Sequence, residues 1–187
     1  MSNAYFFGYG SLVNRRTHIY DPAFPARAKG WRRAWRCTPD REPAFLTVIP
    51  DADCEIEGLV AGVPDQDWSA LDLRETNYDR LPASDCVTHD LGDHADVAIY
   101  SIPEHTRHLP DEDHPVLLSY LDVVLQGYLT EFGRDGADRF LATTTGWEAP
   151  ILNDRASPRY PRAQSLSTDE RDYVDGALTS LGSRILI

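Results

Sequence analysis

The chain is short of cysteine, of positive charge and of long apolar runs, and each shortage removes a class of protein. Its three cysteines, Cys37, Cys54 and Cys86, are odd in number and widely spaced. No CxxC pair occurs, so neither a zinc ribbon nor a disulfide framework is indicated. Lys and Arg number 18 against 30 Asp and Glu, a formal net charge of −12. That balance argues against nucleic-acid phosphates and anionic membranes as partners. No apolar stretch approaches the roughly 18 residues of a membrane span. The first residues carry neither a basic segment nor a long apolar one, so no secretory signal is expected and the expected compartment is the reducing cytoplasm.

What is present fits one soluble globular domain. The chain has 187 residues, 42% hydrophobic and 26% charged. A single domain over 1–187 is expected, with a helical C-terminal elaboration from about residue 115. Strand signals cover Ala4–Tyr9, Ala26–Thr38, Ala44–Ile49, Glu55–Val63, Ser84–Asp90 and Asp96–Ile102. Turn chemistry separates them at Asp21-Pro22, Pro39-Asp40, Pro50-Asp51 and Leu91-Gly92-Asp93. Gly58 and Gly62 mark places where a strand could bend or bulge. A short helix is expected over Asp65–Glu75 and a clear amphipathic one over Pro115–Phe132, with Pro115 in its first turn. A further helix should follow Gly136, over Ala137–Thr144. The last opens on the capping box Ser167-x-x-Glu170 and stops at Gly182. Strands first and helices later imply an α+β fold: a small curved or closed, mostly antiparallel sheet, barrel-like, with helices packed on one side.

Two local features carry chemistry. Tyr5-Phe6-Phe7-Gly8-Tyr9-Gly10-Ser11-Leu12 reads as a buried strand running into a glycine-punctuated turn. Such a turn can point several N–H groups into one hollow, which suits a carboxylate or a developing oxyanion. It is neither GxGxxG nor a P-loop, since no GK[ST] follows. The second feature is Glu75, a carboxylate at a helix–strand junction. Arg27, Lys29, Arg32, Arg33 and Arg36, around Trp31 and Trp35, alternate like a strand with one solvated basic face. His89, His94, His105, His108 and His114 lie in polar, Asp-rich surroundings without HExxH or cysteine, so they read as surface histidines and no metal is expected.

Taken together, Phe7-Gly8-Tyr9-Gly10-Ser11-Leu12, the strand ending Gly30-Trp31-Arg32-Arg33-Ala34-Trp35, Ile56-Glu57-Gly58-Leu59-Val60 and the LDxxExxYxR run Leu71–Arg80 resemble the γ-glutamylcyclotransferase superfamily. The likeness covers roughly residues 4–103 with the motif order intact. It implies that Tyr9, Gly10, Ser11 and Leu12 grip a glutamyl group and that Glu75 is the acid–base residue. Tyr78 and Arg80, from the same run, are implied as substrate-binding. Arg80 or Arg155 could pair with a substrate carboxylate. Tyr160 and Arg162 lie in the Pro-braced stretch 153–163, which resembles a segment that some bacterial members add over the site. The implied reaction releases 5-oxoproline from a small γ-glutamyl compound by attack of its own α-amine, without cofactor. Glu75 would then need a partly apolar pocket, because an ordinary Glu of pKa about 4.3 is a weak base for an amine near 8. Ser11 as a nucleophile lacks both GxSxG and a nearby histidine in sequence. Thr76-Asn77 stand where many relatives carry glycine, so the likeness bears on reaction class more than on substrate. The alternatives are a γ-glutamyl-amine or biosynthetic deprotection cyclotransferase, and a non-catalytic module binding a small acidic ligand. The sequence leaves the oligomeric state open.

Overall fold

A computed structural model describes residues 3–39, 41–91 and 95–187. Strands β1 (Asn3–Gly8), β2 (Ala23–Thr38) and β3 (Arg41–Gly62) come first. They are followed by helix α1 (Ser69–Arg74), β4 (Asp79–Pro82), β5 (Val87–Thr88) and β6 (Ala95–Ser101). The C-terminal part holds β7 (Val116–Leu117), α2 (Leu118–Ala142), β8 (Thr144–Thr145), β9 (Ile151–Leu152), α3 (Thr168–Leu181) and β10 (Ile185–Leu186).

These strands form one mixed sheet in the order β10-β9-β7-β3-β1-β6-β4, with β2 along the other edge of β3. The long β3 is its spine. Its C-terminal half runs antiparallel to β1, with Gly8 opposite Leu59, while Ala44 pairs in parallel with Val116 of β7. Between those contacts this edge of β3 is left open, and the end of β1 turns into the gap. Alternation of side chains splits the sheet into two packed faces. Phe7, Val97 and Ile99 join the large core under α2 and α3. Phe6, Ala61 and Tyr100 join a smaller cluster that takes Leu71 from α1.

Several expectations are corrected here. Ala44–Ile49 and Glu55–Val63 are one strand, not two separated by a turn at Pro50-Asp51. The register passes from Lys29 opposite Glu55 to Trp31 opposite Pro50, so β3 bows out locally while β2 keeps pairing on both sides. Arg32 Nε, 2.6 Å from Asp51 Oδ2, pins the bow. Gly58 is regularly paired with Ala26 and marks no bulge. Of the strand expected over Ser84–Asp90 only Val87–Thr88 is in a ladder, and Asp79–Pro82 forms a strand instead. The turn at Gly92-Asp93, and His94, lie outside the described residues. Pro115 precedes rather than opens the long helix, because Val116 is captured by Ala44 and Ile151. The two middle helices are continuous apart from a break at Gly133, with φ 66° and ψ −170°, not at Gly136. Helix α3 has its full capping box, and Gly182 closes it in the left-handed region. Among the described residues no helix is long and apolar enough to cross a membrane.

Candidate active site

The turn after β1 is built by close approach. Gly10 opens a short 3-10 turn, Ser11–Val13. A Cβ on Gly10 would stand 2.9 Å from the Tyr120 hydroxyl, and one on Gly8 would stand 2.7 Å from Leu12 Cβ. Only glycine lets the backbone fold this tightly against α2. The N–H groups of Ser11 and Leu12, at the start of the turn, have no acceptor within it. Asn14 clamps the far end, its Nδ2 donating to Val123 O and Gln126 Oε1, both at 3.0 Å. Thr17 Oγ1 donates to Ser11 O at 2.9 Å.

Glu75 reaches the same place from the other side of the sheet opening. It is the C-terminal cap of α1, its N–H bonded to Leu71 O at 2.9 Å. The sequence Glu75-Thr76-Asn77 turns sharply there, with Asn77 at φ 77°, before the chain enters β4. One narrow hollow is lined by Phe7 to Leu12, Leu46, Glu75, Tyr78, Tyr100 and Tyr120. It encloses about 30 Å³, or about 340 Å³ with its open mouth counted. The smaller figure describes the tight part, and only a slender group fits there. A larger groove of about 720 Å³ between α2 and α3, with Asp138, Asp169, Asp172 and Tyr173 in its wall, shares no lining residue with this hollow.

The charges around the hollow are ordered. The Glu75 side chain is 18% exposed, and its Oε1 lies 3.4 Å from Arg74 Nε. With this guanidinium beside it, Glu75 lies in a more polar setting than the partly apolar pocket expected from sequence. Arg74 also donates to Thr17 O at 2.9 Å and to Ser11 Oγ at 3.3 Å. Its guanidinium thus sits behind both halves of the site. Tyr9 donates its hydroxyl proton to Tyr100 O at 2.7 Å. Burial first and the Glu75 charge second push that phenol well above its ordinary pKa, so it stays protonated. Tyr78 donates to Leu46 O at 2.6 Å.

The remaining expected site residues divide. Tyr160 is buried, and its hydroxyl meets Ser11 Oγ at 2.9 Å while its ring packs edge-on against Tyr120. Arg162 is exposed and does not line the hollow, although its charge reaches Tyr20. Arg80 is held away from the hollow: it bonds both oxygens of Asp72 at 3.1 Å and lies over the Trp68 ring. Arg155 is bound to Asp122 and Asp175 on the helices. Neither is placed to take a substrate carboxylate there. Ser11 Oγ touches Tyr160 and Arg74, and no histidine is bonded to it among the described residues. His105 and His108 are exposed, and no group of three metal-ligating side chains occurs among the described residues. Sequence reasoning missed Leu46, Tyr100, Tyr120 and Arg74 in and behind the wall. Arg74 was readable as the neighbour of Glu75; Leu46 and Tyr120 carried no signal beyond their apolar pattern.

The family model for gamma-glutamyl cyclotransferase, AIG2-like, matches residues 6–119. No curated protein matches the chain. Among solved structures, a gamma-glutamyl cyclotransferase superposes with a TM-score of 0.58 at 16% identity, over 94% of this chain and 99% of that one. The uncharacterized protein loc79017 from Homo sapiens gives 0.59 at 15% identity, over 94% and 99%. YkqA from Bacillus subtilis gives 0.57 at 18% identity, over 74% of this chain and 53% of its own. These likenesses establish the fold. The chain belongs to the gamma-glutamyl cyclotransferase, AIG2-like family.

Proposed function

We propose that the chain is a γ-glutamyl cyclotransferase that releases 5-oxoproline from a small γ-glutamyl compound. The observation that carries this reading is the meeting of Glu75 with the Gly8–Leu12 turn in one hollow, although α1 and β1 are distant in sequence. The substrate's α-amine attacks its own γ-carbonyl, a five-membered ring closes, and the amine or amino acid leaves. Nucleophile and electrophile share one molecule, so holding the folded conformer can supply effective molarities of about 10⁵ M or more.

Glu75 takes the proton from the α-ammonium and returns it to the departing nitrogen. The N–H groups of Gly10 to Leu12 face the oxygen on which negative charge develops. Arg74, bonded to Ser11 Oγ, adds positive charge behind them. Ser11, tied to Tyr160 and Arg74, holds the glutamyl group and is not the nucleophile. The narrowness of the hollow suits a glutamyl arm entering lengthwise, with the leaving group at the mouth between Tyr78 and Tyr120. The three free thiols among the described residues are consistent with a cytoplasmic setting.

The test is 5-oxoproline release from glutathione, γ-glutamyl dipeptides and γ-glutamyl amines. At least one class should react, and Glu75→Gln should lower kcat by about 10²–10⁴. Full activity in Glu75→Gln would remove Glu75 from the reaction. Silence on all three classes would favour the small-ligand-binding module.

A further inference from the structure

Arg33 is fully enclosed, at 0% exposure, where the sequence pattern placed it on a solvated basic face. Its Nε donates to Tyr9 O at 3.1 Å, its Nη1 to Thr143 Oγ1 at 2.8 Å, and its Nη2 to the Tyr128 hydroxyl at 2.6 Å and to Glu57 O. The guanidinium lies 5.0 Å from the Tyr128 ring centre and 4.9 Å from that of Phe140. The nearby Glu57 carboxylate is bonded instead to Arg139 and Arg27. Among the described residues no carboxylate pairs with it, and a buried cation without a paired anion is an expensive way to fill space that an apolar side chain would fill at less cost. The fork of donors on two main-chain carbonyls is what such a side chain could not supply.

One of those carbonyls belongs to the turn. Tyr9 O receives Arg33 Nε and lies 2.9 Å from the Tyr128 hydroxyl, whose single proton it shares with Glu57 O at 2.7 Å. The Tyr9–Gly10 peptide is trans, so its N–H points opposite to its C=O. Arg33 and Tyr128 lie behind the turn and Gly10 lines the hollow. We infer that Arg33 is a positioning residue: with Tyr128 it locks the Tyr9–Gly10 peptide so that the Gly10 N–H faces the hollow, and its charge polarises that peptide and strengthens the N–H as a donor to the developing oxyanion. Hydrogen bonds to one end of an amide strengthen those made by the other. Burial pushes the Tyr128 phenol up to about 12, which keeps it a donor. The catalytic part of this inference rests on the cyclotransferase reading above; the locking of the peptide does not.

Two kinds of measurement test it. Arg33→Met should lower kcat by about 10²–10³, the loss seen when an oxyanion donor is removed, with KM within about 3-fold. Arg33→Lys keeps the charge without the fork and should fall between wild type and Arg33→Met. Tyr128→Phe removes one lock and leaves both carbonyls an arginine donor, so it should fold and lose about 10-fold in kcat. Leu178→Ala, a buried leucine of α3, is the destabilised control and should lower Tm while leaving kcat unchanged. In parallel, the Gly10 amide nitrogen resonance should move upfield in Tyr128→Phe and Arg33→Lys and stay in place in Leu178→Ala. Wild-type kcat in both Tyr128→Phe and Arg33→Lys, or a stationary Gly10 resonance, would overturn the inference while the cyclotransferase reading stood. If the wild type releases no 5-oxoproline from any substrate, that reading fails and the Gly10 resonance alone decides whether Arg33 locks the turn.

Discussion

Gly58→Ala is the sharpest stability test of how the site is built. Gly58 lies in β3 opposite Ala26, beside the end of β1. A Cβ there would press on the Gly8 carbonyl oxygen and sit 2.6 Å from Phe7 Cζ. Ordinary carbon contacts are about 3.5–4.0 Å, so roughly 1 Å must open. The Phe7 ring is itself buried in the core, and the carbonyl is backbone next to the Gly10–Val13 turn. Neither can yield without disturbing the β1–β3 ladder. Overpacking of this kind costs about 1–3 kcal/mol, and backbone contact argues for the upper end. For a chain of this size about 3 kcal/mol lowers Tm by roughly 6–12 °C. Gly176→Ala is the matched control, because its Cβ would meet nothing within 4 Å inside α3. There alanine should stabilise by about 0.5–1 kcal/mol. Thermal and denaturant unfolding of both variants, with m-values to check two-state behaviour, gives the answer. If Gly58→Ala melts with the wild type, close approach of β3 to the turn is not what requires glycine.

Three further outcomes can be measured separately. Burial, assisted by Arg74 and Arg15 and opposed by the bond to Leu12 O, lowers the His18 pKa from 6.5 to about 4. The folded ring is then neutral where the unfolded one protonates, so its contribution to stability is present above pH 6.5 and lost as pH falls toward 4; urea titrations should show a shallower fall in His18→Gln over that window, and parallel profiles would refute the shift. Ser167→Ala removes the side-chain bond to the Glu170 N–H and should cost about 1 kcal/mol, read as a lower urea midpoint with an unchanged m-value. Tyr160→Phe loses the 2.9 Å bond to Ser11 Oγ and, under the proposed function, should raise KM more than it lowers kcat, because it loosens the turn proposed to hold substrate rather than the proposed proton transfer; an equal fall in kcat and kcat/KM would speak for a transition-state role.

Local signals were the legible ones. The aromatic run of β1, the glycines after it and the capping box of α3 each act within a few residues, and each forms as read. What failed depended on partners far along the chain. Pro50-Asp51 has turn chemistry, yet pairing of β2 on both sides of the bow carries β3 through it. Arg33 alternates like a solvated residue, but Tyr128 and Thr143, 95 and 110 residues away, close over it. Arg80 and Arg155 are suited to a carboxylate, and the structure gives each an internal one, Asp72 for the first and Asp122 with Asp175 for the second. A free arginine and a spent one look identical in sequence.

The family match ends at residue 119, and Glu75 and the Gly8–Leu12 turn, the groups proposed to react, lie inside it. Much of what stiffens the turn lies beyond it. Tyr120 closes over Gly10, and a Cβ on Gly127 would stand 2.8 Å from the Asn14 N–H nitrogen. Gln126 holds Asn14, Tyr128 backs Tyr9 O, and Tyr160 caps Ser11. Four of these five residues project from α2. Its first turns, buried on all sides from Leu118 to Tyr128, have to match the turn geometry residue by residue. The proposed chemistry is thus carried by the strand-rich part of the chain, and the rigidity that an oxyanion-stabilising turn requires comes in large measure from the helical part.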